Sequence, residues 1–314
     1  MGVTATQRIS LGEGSTPLVP APRLSGELGV ELHLKCEGLN PTGSFKDRGM
    51  VVAVERALLA GAHTVVCAST GNTAASAATY AARAGLQAVV LTPEGATASA
   101  KRAQASAAGA RVIEIRGSFD DALRLAFELG ERDGYVLVNS ASPDRHRIDG
   151  QKLVVGEIVE QLGTAPDVIA LPFGGGGNVS AVALGLSELG LTTHIVVGQA
   201  ADRATTWASA IRIVEPAHAV EVERLVGAGR VEVVTLSEDD IRRWWSRLAG
   251  EEGVFCEPAS AAGVAALPAC AKLAQAATVV AIVTGHGLKD TGAVDQSSAA
   301  VVDATLDAIL GELS

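Results

Sequence analysis

An α/β protein of two domains, each built on a mainly parallel sheet flanked by helices, is the fold class that the sequence predicts. Three observations predict it. Short apolar, β-branched runs alternate with Ala-rich helical stretches. Most of the runs are continuously hydrophobic, as strands covered on both faces must be. The length of 314 residues also exceeds what one core supports, because single cores stop growing near ~250–300 residues.

The strands follow from the runs Leu32–Cys36, Thr64–Ala68, Ala88–Leu91, Arg111–Ile115, Val136–Val138, Val168–Leu171, His194–Gly198, Val231–Leu236 and Val279–Val283. Helices are predicted over Lys46–Ala60, Thr73–Ala84, Phe119–Leu129, Gln151–Leu162, Val179–Leu189 and Ser260–Ala274. Strand–helix alternation implies right-handed crossovers and hence parallel sheets. Two polar breaks, Gly38–Gly43 (GLNPTG) and Asn139–Gly150 (NSASPDRHRIDG), bracket an inserted domain. The expected boundaries are residues 1–40 with 146–314 for the large domain and 41–145 for a smaller, mobile one. With only 10 aromatic residues, Ala and Val must build the cores.

The 25 Lys and Arg stand against 35 Asp and Glu, a net charge of −10. Such a balance argues against nucleic acid, whose phosphates need neutralising cations. It equally disfavours a polybasic membrane-surface protein. An anionic substrate would need local positive potential, since the global field repels it. The longest apolar stretch, Ala259–Val283, contains Pro268, Lys272 and Gln275 and reads as helix, break and strand, not as a membrane span. The N-terminus MGVTATQRIS has no apolar core of a secretory signal. Cys36, Cys67, Cys256 and Cys270 include no CxxC pair, which argues against a zinc site or a redox motif. Reduced core thiols in a cytoplasmic protein are the expectation, with no metal.

Four turns carry candidate chemistry. In Pro41–Gly49 (PTGSFKDRG), Ser44 is the expected N-cap and Lys46 enters the first helical turn. The helix dipole and Arg48 should depress the Lys46 pKa and favour the neutral amine that Schiff-base chemistry needs. A surface lysine beside Asp47 is the other reading of the same residues. In Ala68–Ser76 (ASTGNTAAS), exposed N–H groups and hydroxyls suit a carboxylate or phosphate, or simply cap a helix. Phe173–Asn178 (FGGGGN) follows a strand and opens a helix. Four consecutive glycines are costly in entropy and fit a backbone wrapped round an anion. The spacing matches neither GxGxxG nor GxxxxGK[ST]. Thr284–Asp290 (TGHGLKD) follows the last strand, at the carboxyl end where α/β proteins bind ligands. His286 there is either a base or a turn residue. Asn139, Ser140, Arg145 and Arg147 form a further polar cluster suited to phosphate, or a solvated interdomain loop.

Taken together, GEGSTPLVP (12–20), KCEGLNPTGSFKDRGM (35–50), ASTGNTAAS (68–76), DGQK (149–152) with Glu157–Gly163, and TGHGLKD (284–290) resemble the threonine synthase family of fold-type-II pyridoxal-phosphate enzymes. The likeness spans most of the chain in the family's order. It implies a tryptophan synthase β-subunit-like fold, a large cofactor-binding domain, pyridoxal 5'-phosphate as cofactor and a homodimer. Lys46 matches the catalytic lysine that holds the cofactor and shuttles protons. Asn72 matches the residue bonding the ring hydroxyl, and Thr284 the hydroxyl facing the ring nitrogen. Gly174, Gly175, Gly176, Gly177 and Asn178 occupy the cofactor-phosphate loop. Ser69, Thr73, Asn139 and Ser140 match substrate-binding positions.

The implied reaction converts O-phosphohomoserine and water to L-threonine and phosphate, a carbon–oxygen lyase step in threonine biosynthesis. The chain departs from the family pattern at GGGGN, usually GNAGN, a change reminiscent of serine/threonine dehydratases. A dehydratase, or a synthase for another phosphorylated or phosphonate amino acid, is the alternative. NSASPDRHRIDGQK is two residues longer than the family segment. Counting forward from Asn139 selects Arg145 for the substrate phosphate; counting back from Gly150 selects Arg147. The forward count keeps the motif's early spacing, so Arg145 is the expected residue. The stretch between Gln199 and Ala210 is shortened, and the N-terminal extension is brief.

Overall fold

The computed structural model describes residues 9–95, 99–139, 142, 144–294 and 299–313. Ten strands form two sheets. The first has order β1-β2-β10-β7-β8-β9 and the second β5-β4-β3-β6. The strands are β1 (Leu18–Pro20), β2 (Glu31–Cys36), β3 (Thr64–Ala68), β4 (Gln87–Pro93), β5 (Arg111–Ile115), β6 (Tyr135–Leu137), β7 (Val168–Pro172), β8 (His194–Ala200), β9 (Val231–Leu236) and β10 (Thr278–Val283). All pairings are parallel except β1 with β2. The four strands of the second sheet all fall within residues 41–145; those of the first all lie outside that range.

The inner strands of both sheets are covered on both faces, as their continuous apolar runs require, while the edge strand Arg111–Ile115 is largely exposed. Val168 and Ala170 pack into one core, Ile169 and Leu171 into another. The same alternation sends Val279, Ala281 and Val283 one way and Val280 and Ile282 the other. In the second sheet Val65 and Cys67 separate likewise from Val66 and Ala68. All four cysteines are free and buried.

Three departures from the sequence expectation have local causes. Strand β1 is short, antiparallel and ends on Pro20, which is tolerated only at a sheet edge. The helix expected over Ser260–Ala274 runs Pro258–Ala265, and the chain continues as 3₁₀ turns Leu267–Ala269 and Leu273–Gln275. Pro268 lacks the N–H that would continue it. The helix expected over Gln151–Leu162 begins at Leu153, and a separate helix, His146–Gln151, precedes it.

A buried ion cluster ties Thr16, Lys35, Glu37 and Glu157 to the helix Lys46–Leu59. Arg48 donates from Nε to Glu37 Oε2 at 2.6 Å and from Nη1 to Glu157 Oε1 at 2.7 Å. Lys35 Nζ donates to Thr16 O at 2.7 Å and to Glu157 Oε2 at 2.9 Å. Hydrogen bonds from Arg48, Ser15 and Lys35 outweigh the cost of burial and hold the Glu157 carboxyl down to about 2. Its stabilisation is therefore full above the ordinary carboxylate range and is lost as pH falls toward about 2. Arg48→Ala leaves Glu37 and part of Glu157 without a counter-charge. We expect it to cost about 3–5 kcal/mol, read as a lower urea midpoint at unchanged m-value.

Candidate functional site

The turns that follow β7 and β10 lie side by side, because those strands are parallel neighbours in register Ala281 with Ala170. Onto this edge the lysine turn is stitched. Phe45 N donates to Thr284 O at 3.0 Å, His286 N donates to Gly43 O at 2.9 Å, and Ser44 pairs with Gly285. Asp47, fully buried, accepts from Thr42 N at 2.7 Å, Thr42 Oγ1 at 2.6 Å and Ser76 Oγ at 2.6 Å. It closes the turn and does not pair Lys46.

Ser44 is not the helix cap. Phe45 occupies that position with helical backbone angles, and Ser44 Oγ is buried without a hydrogen-bond partner. The turn takes its order from Asp47 and Thr284, so the hydroxyl is left for something else.

Lys46 is half-buried, and its ammonium is pushed down to about 7, first by burial and then by the charge of Arg147, with Glu257 opposing. Arg48 plays no part in this shift. It lies two positions along the helix, about 200° round the axis, and its guanidinium belongs to Glu37 and Glu157. In the cofactor-free chain, acylation of Lys46 by acetic anhydride should rise as pH passes about 7 and reach a plateau near pH 8. An ordinary lysine would need pH near ~10.4. Peptide mapping by mass spectrometry checks this.

Asn72 begins the helix Asn72–Ala84. Its Nδ2 donates to Glu257 Oε2 at 2.6 Å, while its Oδ1 is buried without a partner. Glu257 also pairs with Lys101 at 2.7 Å. Thr284 Oγ1 is 3.0 Å from Ser260 Oγ, and Ser260 Oγ accepts from Gly285 N at 3.0 Å. Glu257, Ser260 and Lys101 were missed from the sequence. The available signal was CEPAS (256–260), a carboxylate and a hydroxyl flanking a Pro-started helix.

In the glycine turn, Gly176 has φ 86° and precedes the helix Gly177–Glu188, whose N-terminus carries no side-chain cap. A Cβ on Gly176 would lie 2.9 Å from His218 Cβ, and one on Gly174 3.2 Å from Ile211 Cα. The space beside Gly175 is open apart from Ile213 Cδ1 at 3.6 Å. Asn178 Nδ2 and Ser180 Oγ are buried and unpartnered. The uncapped N–H groups and these orphaned polar atoms make an anion cradle.

The substrate-side residues divide. Ser69 Oγ accepts from Gly71 N at 3.1 Å and shapes the turn before Asn72; Thr73 is half-buried in the first turn of the helix. Asn139 spends both ends of its amide on Ala68, accepting at 2.8 Å and donating at 2.9 Å. Ser140 lies outside the described residues. His286 Nδ1 accepts from Leu288 N at 3.2 Å, so it serves the turn.

The structure separates the two arginines by burial. Arg145 is exposed, in left-handed backbone, just before the helix His146–Gln151. Arg147 is 3% exposed, with Nε and Nη2 buried and unpartnered, and its charge acts on Lys46. Two motif glycines allow that placement. A Cβ on Gly150 would lie 2.0 Å from Arg48 O, and one on Gly49 2.5 Å from Arg147 O. The helices carrying Lys46 and Arg147 therefore touch backbone to backbone, which only glycine permits.

Comparison with known proteins gives the family. Residues 9–285 match the family described as pyridoxal-phosphate dependent enzyme. The chain is similar to the threonine synthase of Halalkalibacterium halodurans, 45% identical over 91% of this chain and 85% of the relative. It is 44% identical to the threonine synthase of Mycobacterium leprae, over 96% of this chain and 89% of the relative. Among solved structures, the threonine deaminase of T.th. superposes with a TM-score of 0.76 at 27% identity, covering 94% of this chain and 97% of that one. Maize serine racemase superposes with a TM-score of 0.79 at 22% identity, covering 98% and 94%, a likeness of fold alone.

Proposed function

The chain belongs to the threonine synthase family of pyridoxal-phosphate-dependent enzymes, and from that premise we propose that it converts O-phosphohomoserine and water to L-threonine and phosphate. The observation that carries the phosphorylated substrate is Arg147. A buried guanidinium with two unpartnered nitrogens is costly unless an anion completes it. Its charge acts on Lys46, which supports a role for it beside the reacting carbons.

The residues fit the cofactor. Asn72 Oδ1, Asn178 Nδ2 and Ser180 Oγ are buried and lack partners in the chain. The cradle at Gly174–Asn178 admits no Cβ at Gly176 without displacing His218. Lys46 would hold the cofactor's aldehyde carbon, Asn72 its ring hydroxyl, Gly174–Asn178 its phosphate, and Thr284 would face its ring nitrogen. When bound, pyridoxal phosphate supplies an electron sink for negative charge at a neighbouring substrate carbon.

The chain's own groups do the rest. Lys46 Nζ, neutral above about pH 7, takes the substrate's Cα proton. Arg147 holds the phosphate that leaves Cγ and balances its charge. A Cβ proton leaves as the Cγ–phosphate bond breaks, Cγ takes up a proton, water adds its oxygen at Cβ and gives up one proton, and Cα is reprotonated. The Thr284 hydroxyl, bonded to Ser260, would be too weak an acid to give up its proton to a ring nitrogen held beside it. Lys289 Nζ bonds Thr42 O and Gln104 Oε1, both at 2.6 Å, and Lys101 bonds Glu257. These ties join residues of the two sheets' domains and keep bulk water from the reacting carbons. Ser69 and Thr73 orient the substrate's carboxylate from the uncapped helix end.

The reading extends to a homodimer in the cytoplasm. Four free thiols suit a reducing compartment. The helix Leu306–Leu313 leaves Leu306, Leu310 and Leu313 more than half exposed, a face a second copy would bury. Incubation with O-phosphohomoserine and with threonine separately tests the activity. Phosphate and threonine from the first are expected; 2-oxobutyrate from the second, without phosphate release from the first, would overturn the reading in favour of a dehydratase.

A further inference from the structure

Three different metal donors converge at the end of the larger sheet opposite the Lys46 recess. His194 is the first residue of β8 and Glu232 the second of β9. Cys270 follows the 3₁₀ turn Leu267–Ala269. One imidazole nitrogen, one carboxylate oxygen and the thiol sulfur all lie within 4.8 Å of one another. His194 Nε2 is 3.2 Å from Glu232 Oε2. Donors round a tetrahedral zinc stand roughly 3.2–3.9 Å apart, so small side-chain rotations bring all three into range. Among the described residues this is the one such group.

We propose that His194, Glu232 and Cys270 bind one zinc ion, with water as fourth ligand. The donor set of nitrogen, oxygen and sulfur suits borderline-soft zinc better than calcium or magnesium, which take oxygen alone. Charge balances: a dication with one carboxylate and one thiolate is neutral, and the thiol proton passes to solvent. Ala271 N donates to both oxygens of Glu232, at 3.2 and 3.1 Å, and orients the carboxylate. A cavity of about 220 Å³, lined in part by Asp167, His194, Lys272 and Gln275, gives water a way in. Lys272 repels a free cation, but not the neutral complex. Asp167 is already held by Ala277 N and Thr278 N, at 2.8 and 3.0 Å. The absence of CxxC spacing does not bear on a site assembled across two strands and a distant turn.

The ion would clip β8, β9 and the Cys270 turn together. Seven residues of β8 at 3.3 Å each separate it by ~20 Å from the catalytic edge, so it acts on stability and not on turnover. The test uses the cofactor-loaded enzyme, stripped by chelator and titrated with zinc alone and with cobalt alone. One zinc per chain is expected, with protection of Cys270 from a thiol reagent. Cobalt should give the visible bands of a tetrahedral thiolate site. Cys270→Ser and His194→Ala should each weaken zinc binding roughly a hundredfold, with turnover unchanged and the zinc-dependent rise in Tm lost. Glu232→Gln, which keeps the side chain's shape, guards against misfolding of the other two and should also weaken binding. Zinc binding that survives Cys270→Ser and Glu232→Gln, or no stoichiometric uptake by the wild type, would overturn the proposal.

Discussion

Lys46→Ala should reduce turnover by about 10³ or more, because it removes both the cofactor's anchor and the base for the Cα proton. The loss belongs to chemistry and not to folding. Lys46 makes no hydrogen bond that holds the turn; Asp47 and the backbone of Phe45 do that. The variant should therefore melt within a few degrees of the wild type once freed of cofactor. Borohydride treatment of the wild type should trap the pyridoxyl group on Lys46. Lys35, Lys101 and Lys289 are also buried. Their amines are engaged by Glu157, Glu257 and Thr42 respectively, and they should stay unmodified. Trapping on any of them, or an unchanged absorption spectrum in Lys46→Ala, would refute the assignment.

Arg147→Ala should lower kcat/KM for O-phosphohomoserine roughly ten- to a hundredfold. A charge-assisted contact to a phosphate is worth about 1.5–3 kcal/mol. Cofactor binding should persist. Two further signatures separate this role from a merely structural one. Removing the charge that depresses Lys46 must raise the lysine's pKa, so the basic form appears at higher pH. Removing an unpaired buried charge also relieves a desolvation cost, so the variant without substrate should melt at or above the wild type. Activity falls while stability holds or rises, the usual mark of a functional site. Arg145→Ala should change kcat/KM by less than about threefold, as exposed charges do. If Arg145 is the sensitive residue, the phosphate contact lies outside the recess. If neither matters, the substrate is not phosphorylated.

Much of the fold was legible because sheets covered on both faces leave an unbroken apolar signature. Thr64–Ala68 and Thr278–Val283 end where their apolar runs end. The edge strand Leu18–Pro20 has no such signature, since one neighbour and three residues suffice to form it. Several motif residues proved to be scaffold. Thr16, Lys35, Glu37, Arg48 and Glu157 form one ion cluster, read from sequence only as pieces of separate motifs.

The succession of the strands after Leu18–Pro20, the class of chemistry and the four candidate turns, three on the larger sheet and one on the smaller, were readable from the sequence. Strand–helix alternation forces those turns to the carboxyl ends of their strands, but not the two sheets to face each other. Which side chains face inward was a matter of packing. Arg145 and Arg147 stand two residues apart, and only one of such a pair can point at Lys46. Local pattern does not choose between them. The choice was made by the contact of Gly49 with Arg147 O and of Gly150 with Arg48 O, where two helices meet without side chains between them. That packing turns Arg147 into the recess and leaves Arg145 in solvent. Likewise, Glu257 reaches Asn72 across 185 positions of chain, a pairing that depends on how the domains close and that no local spacing encodes.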